Sequence, residues 1–154
     1  MSAYLGSAAF SGANAAISIN SGTIAVPVWV PIVECVSADL SGRVAATQSV
    51  TSFSSPNKTA EIITTLITPG DLKLVFNMVS GDPGQIAIQA AFNTLTKVEY
   101  QLAIPQSPTQ TVVGDKYVFQ AVCTEFSFSV SPEKAIQIQS SLKLSGPLTF
   151  TAGS

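Results

Sequence analysis

Between Ile136 and Leu144, apolar and polar residues alternate: Ile136, Ile138, Leu142 and Leu144 on one side, Gln137, Gln139, Ser141 and Lys143 on the other. Successive side chains of a strand point to opposite faces, so this pattern specifies a strand with one face in a core and one polar face. Two further segments repeat it. Leu72, Leu74, Phe76 and Met78 alternate with Lys73, Val75 and Asn77, and Val98, Tyr100, Leu102 and Ile104 alternate with Lys97, Glu99 and Gln101. A chain carrying these segments is predicted to be mainly β.

Other stretches fit the same class with local irregularities. Val28 to Val36 is apolar on both faces, and Pro27 and Pro31 cannot donate to a ladder, which predicts an edge or irregular strand. Residues 61–66 lead into Thr68-Pro69-Gly70-Asp71, strong turn chemistry, so a hairpin with the 72–78 strand is expected. Lys116 to Val130 changes phase: Tyr117 and Phe119 lie on one face, Phe126, Phe128 and Val130 on the other. Either a bulge sits near Cys123 and Thr124 or the strand changes partners there. One helix is predicted over Pro83 to Thr96. Asp82 can cap it, Pro83 suits its first position, and Gln85 stands three residues after the cap. Ile88, Ala91, Phe92 and Leu95 make its apolar face, and Lys97 lies near its C-terminal end. The order of elements predicts a two-sheet antiparallel β-sandwich or rolled barrel with one flanking α-helix.

The stretch from Ser37 to Thr59 differs. It is rich in Ser, with Val44, Val50 and Phe53 as its larger apolar residues. It reads as two short strands joined by an excursion, or as one long loop. Structureless loops beyond about 12–15 residues are usually functional or disordered.

Composition adds a constraint on the surface. Charged residues make up 10% of the 154, and the net charge is −2, against about 25% charged residues in ordinary soluble domains. A lone molecule with so little charge is poorly protected from association. Much of the surface is therefore expected to be covered by partners. No apolar run is long enough to span a membrane, and the Ala/Ser/Gly-rich segment Met1 to Asn20 has neither the basic start nor the apolar run of a secretory signal. It is read as a flexible tail or as an arm that orders on assembly.

Catalysis finds little support. Histidine is absent, which removes the commonest general base and metal ligand. Cys35 and Cys123 stand in separate apolar runs without metal-site spacing, and two buried free thiols are expected. Glu34 and Glu125, each within an apolar strand, are the only environmentally unusual acids; they read as pKa-shifted acids or as charges facing solvent, a partner subunit or a Lys. Ser80 to Gly84 lacks the Lys of a phosphate loop. One arginine, Arg43, and six dispersed lysines form no basic patch. No enzyme, cofactor or metal is expected.

Several segments, in order, resemble the major tail tube protein of long-tailed, non-contractile bacteriophages. They are Pro31 to Gly42, Val50 to Pro56, the Pro69-Gly70-Asp71-Leu72 turn leading to Phe76-Asn77, the Asp82 helix with Gln85, and Leu142 to Thr149. The resemblance covers roughly residues 28 to 150. It departs from the family pattern at Pro27 and at the uncharged linker Gln106 to Val113. The resemblance implies a β-sandwich domain at 27–150 after an arm at 1–26, with a short tail at 151–154. It implies rings of six copies, stacked into a hollow tube in the virion tail and assembled in the host cytoplasm. DNA passes through without specific binding, and the tail tip, tape-measure and tail-terminator proteins are partners; no membrane binding by this chain is implied. The segment 43–58 is implied to reach an adjacent ring, with Arg43, Val50, Ser52, Phe53, Pro56 and Lys58 in contact. Gln137, Gln139, Ser141 and Lys143 are the candidates for the lumen face, the alternative being an ordinary solvated face. Two other readings are a small β-sandwich module binding carbohydrate or protein, and the inner tube of a tailocin or secretion system.

Overall fold

The computed structural model describes residues 12 and 15–154. Among the described residues the elements run β1 (Ala16–Asn20), β2 (Trp29–Ile32), β3 (Cys35–Ser41), β4 (Val44–Ser49), β5 (Ile62–Thr68), β6 (Asp71–Asn77), α1 (Pro83–Thr94), β7 (Lys97–Ala103), β8 (Lys116–Ser129), β9 (Gln137–Leu144) and β10 (Thr149–Thr151). Eight strands form one sheet in the order β2-β1-β7-β8-β9-β6-β3, with β10 attached to β8; β4 and β5 form a second, two-stranded sheet. Every pairing is antiparallel. The expected class is present, with sheets of very unequal size.

Strand β8 organises the larger sheet. Its first part pairs with β7 as far as Val122, and its second part pairs with β9 from Ala121 onward. The register slips between Cys123 and Glu125. The phase change in the sequence thus reflects both a bulge and a change of partner. The extra residue turns Phe126 inward, where its ring lies 6.3 Å from that of Phe92 on α1. The sheet is divided in two by this device. Ile17, Ile19, Tyr100 and Phe119 of one half share a single core with Leu72, Leu74, Phe76 and Leu142 of the other. Residues so distant along one sheet can meet only if it rolls over on itself.

The helix follows its predicted start closely. Asp82 Oδ2 accepts from the Gln85 amide at 3.0 Å, and Pro83 fills the first turn. Ile88 and Ala91 are buried. Leu95 is not; it is 68% exposed, because it ends the helix in the left-handed region (φ 51) and swings off the apolar stripe. Lys97 belongs to β7 rather than to the helix end. Gln85 has a larger role than capping. Its Nε2 donates to the carbonyls of Asn77 (2.8 Å) and Val33 (3.2 Å), and its Oε1 accepts from the Val79 amide at 2.9 Å. One buried side chain thereby joins α1, the end of β6 and the turn after β2. Gly84 allows this close seat, since a Cβ there would stand 2.2 Å from the Pro31 carbonyl oxygen.

Four expectations are corrected. The strand expected over Val28 to Val36 is broken at Val33 and Glu34, where Glu34 takes φ 57, so that β2 and β3 serve opposite halves of the sheet. The predicted edge position does hold, as β2 pairs with β1 alone. Part of the segment expected as an arm at 1–26 is a strand of the sheet: Ala16–Asn20 is β1, between β2 and β7, while residues 1–11, 13 and 14 lie outside the described residues. Ile17 and Ile19 bury there, a two-residue signal lost among small residues. The tail at 151–154 is fastened too. Thr151 pairs with Lys116, the Gly153 amide donates to Asp115 Oδ1 at 2.8 Å, and the Ser154 carbonyl accepts from Val112 at 2.7 Å. The hairpin between 61–66 and 72–78 does not form. Both edges of β6 are occupied, by β3 and β9, and β5 pairs with β4 instead.

Replacing Gln85 with Leu keeps the volume but leaves the Val79 amide and the Asn77 and Val33 carbonyls without their partner. Unfolding in urea should show a loss of about 2–3 kcal/mol; an unchanged midpoint would mean that these groups find water instead.

Candidate assembly surfaces

The half of the sheet formed by the second part of β8, β9, β6 and β3 buries one face and leaves the other bare. Register fixes who stands on the bare face. Asp71 lies opposite Lys143, Lys73 opposite Ser141, and Asn77 opposite Gln137. On the flanks, Asp39 stands opposite Lys73, Glu125 opposite Ser141 and Ser127 opposite Gln139. Asp39, Lys73, Glu125, Gln139 and Lys143 are all exposed. Glu125 accepts from Ser127 Oγ at 3.3 Å and Ser141 Oγ at 3.4 Å, and Gln137 Nε2 donates to Asn77 Oδ1 at 3.4 Å. Three acids against two lysines leave this face close to neutral. Gln137, Gln139, Ser141 and Lys143 thus share one face, as their alternation required. Asp39, Asp71, Lys73, Glu125 and Ser127 extend it. The sequence showed the alternation of these strands but not the register that places them side by side.

Among the described residues, both borders of this four-stranded region are open. β3 pairs with β6 alone, and β8 beyond Val122 pairs with β9 alone. Each border presents a row of unpaired N–H and C=O groups, the usual template for adding another strand.

The second sheet stands apart. β4 and β5 pair from Val44 opposite Thr68 to Ser49 opposite Ile62, with a slip between Ala45 and Thr47. All residues of both strands are exposed, including Val44, Ile62, Leu66 and Ile67. The expected 43–58 loop is therefore the outgoing strand and tip of a ribbon whose return strand is β5. Arg43 stands at its root; Val50, Ser52, Phe53 and Pro56 are in the tip, and Lys58 closes a single 3-10 turn. The tip is internally ordered. The Val50 amide donates to the Glu61 carbonyl (3.0 Å), the Glu61 amide to Thr51 Oγ1 (2.7 Å), and Ser55 Oγ to Glu61 Oε2 (2.8 Å). Phe53 is fully exposed at its end. Two glycines close the root: Gly42 (φ 78) and Gly70 (φ 94), where a Cβ on Gly70 would meet the Ser41 carbonyl oxygen at 2.3 Å. A lone two-stranded ribbon is marginal in water, and this one carries exposed apolar side chains along both strands.

Of the two thiols expected to be buried, Cys123 is, whereas Cys35 is half-buried. Cys35 and Cys123 are free; Cys123 is buried with Sγ 3.1 Å from Ser140 Oγ, and burial pushes both thiols above their ordinary pKa. Burial likewise raises the pKa of Tyr100, with a smaller contribution from Cys123, and its hydroxyl has no partner among the described residues. Glu34 is exposed in the turn between β2 and β3.

No protein-family model and no curated protein matches the chain. Solved structures do. A chain in the tail of an empty GTA particle with C6 symmetry superposes with TM-score 0.69 at 19% identity, covering 94% of this chain and 100% of that one. The SPP1 tail tube gives TM-score 0.67 at 15% identity, over 95% of this chain and 80% of that one. The chain has the tail-tube fold. A chain of the anti-feeding prophage cap also has this fold, with TM-score 0.69 at 10% identity over 99% and 97% of the two chains.

Within the tail-tube fold the ribbon should be separable from the body. Replacing residues 44–67 with a short Gly-Ser link should leave a melting temperature within a few degrees of the intact chain while abolishing end-to-end association in sedimentation. Removing 43–58 alone leaves β5 unpaired and should give an aggregating protein. A ribbon-less chain that still forms long polymers would exclude the ribbon from stacking.

Proposed function

We propose that the chain is the structural, non-catalytic subunit of a phage tail tube, forming hexameric rings that stack into a hollow conduit for genome delivery. The observation that carries this reading is the bare, nearly neutral face of a four-stranded sheet with two open edges. Strand directions alternate from β3 through β6 and β9 to β8, so β3 of one copy meets the second part of β8 of the next in antiparallel sense. The pattern then continues around a ring without a break. Six copies, the symmetry of the GTA tail, would give a barrel of about 24 strands. At about 4.8 Å per strand and a tilt near 40°, its backbone diameter is roughly 50 Å, which leaves a bore wide enough for duplex DNA. Gln137, Gln139, Ser141 and Lys143, with Asp39, Asp71, Lys73 and Glu125, would line it. A lining with few cations and more acids does not hold phosphates, so DNA can slide.

In this reading the site of action is the virion tail. The partners are copies of the chain, with the tape-measure, tail-tip and terminator proteins of the same tail. The likeness to the anti-feeding prophage cap favours one second reading, the inner tube of a contractile particle. A sheath gene beside this one would select it.

Negative-stain imaging over a concentration series should show rings and then tubes of constant bore. Compact monomers alone at high concentration would overturn the proposal.

A further inference from the structure

Beyond β10 the chain runs into a closely built site on the loop between β7 and β8. One main-chain oxygen of Ser154 accepts from three successive amides, those of Thr111 (2.9 Å), Val112 (2.7 Å) and Val113 (3.1 Å). The Ser154 amide donates back to the Val113 carbonyl at 3.0 Å. The loop is braced to present these amides. Gln110 Oε1 accepts from the Ser107 amide at 2.8 Å. Gln110 Nε2 donates at 2.7 Å to Asp115 Oδ1, which also accepts from the Gly153 amide at 2.8 Å. The fit requires glycine at two places. A Cβ on Gly153 would stand 2.2 Å from the Val113 carbonyl oxygen, and one on Gly114 would stand 2.0 Å from the Ile104 carbonyl oxygen. The linker Gln106 to Val113 is also where the sequence departs from the tail-tube pattern.

We propose that the amides of Thr111, Val112 and Val113 form a carboxylate-binding nest, and that the anion it holds is the α-carboxylate of Ser154. Successive N–H groups that converge on one point make an anion-binding concavity, and chain-end carboxylates are captured in this way. A neutral carbonyl offers two lone pairs, fewer than the three donors present; an ionised oxygen strengthens each bond. Asp115, the acid in the network, is engaged by Gln110 and Gly153 and leaves the nest free for Ser154. The latch has a task in the sheet. β9 covers β8 from Ala121 onward. Before that point the same side of β8 is covered by β10, and by the Ser145 amide donating to the Gln120 carbonyl at 2.8 Å. β10 is three exposed residues, Thr149–Thr151, a strand too short to hold itself. The nest fastens its far end. With the latch open, residues 116–120 become a further unpaired edge, a template for misplaced strand addition. With it closed, addition is confined to β3 and to residues 124–129, where the tube reading needs it; the capture itself does not depend on that reading.

Three forms of the chain test this: one ending at Ser154 with a free carboxylate, one ending there as the carboxamide made by ligation, and one continued by Gly-Gly-Ser. In the second and third, amide hydrogen exchange read by NMR should be about tenfold faster at Thr111, Val112 and Val113. The β10 amides that face β8 should quicken as well, while those of Tyr100 and Leu142 stay as they were. A chain ending at Ala152 stops two residues short of the nest and leaves it empty. Added Gly-Ser dipeptide should then shift the 111–113 amide signals, and Gly-Ser carboxamide should not. Equal exchange in the three forms, or equal shifts with the two dipeptides, would overturn the carboxylate latch whether or not the chain builds tubes. Faster exchange at 111–113 with β10 unchanged would keep the nest and overturn its hold on β10.

Discussion

Backbone hydrogen-bonding groups must be satisfied, and among the described residues this chain leaves two long sheet edges unpaired. β3 and the second part of β8 each expose an unpaired edge on the same four-stranded region, and soluble monomers usually protect such edges with charges, prolines or covering segments. Among the described residues no further strand pairs with either edge, and one charged side chain stands on each, Asp39 on β3 and Glu125 on β8. Leu40 and Phe128 are exposed on them, and charged residues are 10% of the chain. The low charge and the open edges both fit the proposed assembly, in which neighbouring copies would supply what the single chain lacks.

The two halves of the rolled sheet divide the work. The half containing β1, β2 and β7 closes the core from outside, with α1 fastened across its edge by Gln85 and Gly84. The other half gives its inner face to that core and its outer face to the polar surface. Because β8 passes through both halves and bends at the Cys123–Glu125 bulge, the core and the polar face are fixed relative to each other by one continuous strand. The open edges and the ribbon likewise belong to different parts: the edges lie at the sides of the sheet and the ribbon leaves from one end. The glycine pair at the ribbon root lets the chain leave the sheet and return at nearly one point without disturbing β3 or β6.

Much of this was legible in the sequence because its signals were local. The alternation in β6, β7 and β9 named most of the buried residues, though Met78 and Ile136, just outside the strands, are exposed, and the start of α1 followed from Asp82, Pro83 and Gln85. The phase change in Lys116 to Val130 located the bulge to within a residue. What failed depended on pairing over distance. Thr68-Pro69-Gly70-Asp71 has good hairpin chemistry, yet the turn joins strands of different sheets, because β3 and β9 claim both edges of β6. The ribbon read as a loop because its side chains face no core of their own, so burial left no period in residues 43–58. β1 was hidden by its length. Of the candidate site, the β9 face was visible, whereas its companions on β3, β6 and β8 became apparent only through register.

Amide hydrogen exchange on isolated and assembled subunits measures the central claim at its source. The account predicts fast exchange in the separated chain for the outward-facing amides of β3 and of residues 124–129, those not bonded to β6 or β9, with strong protection of both sets on assembly. Protection of these amides already in the separated chain, or their continued fast exchange in assembled material, would contradict it.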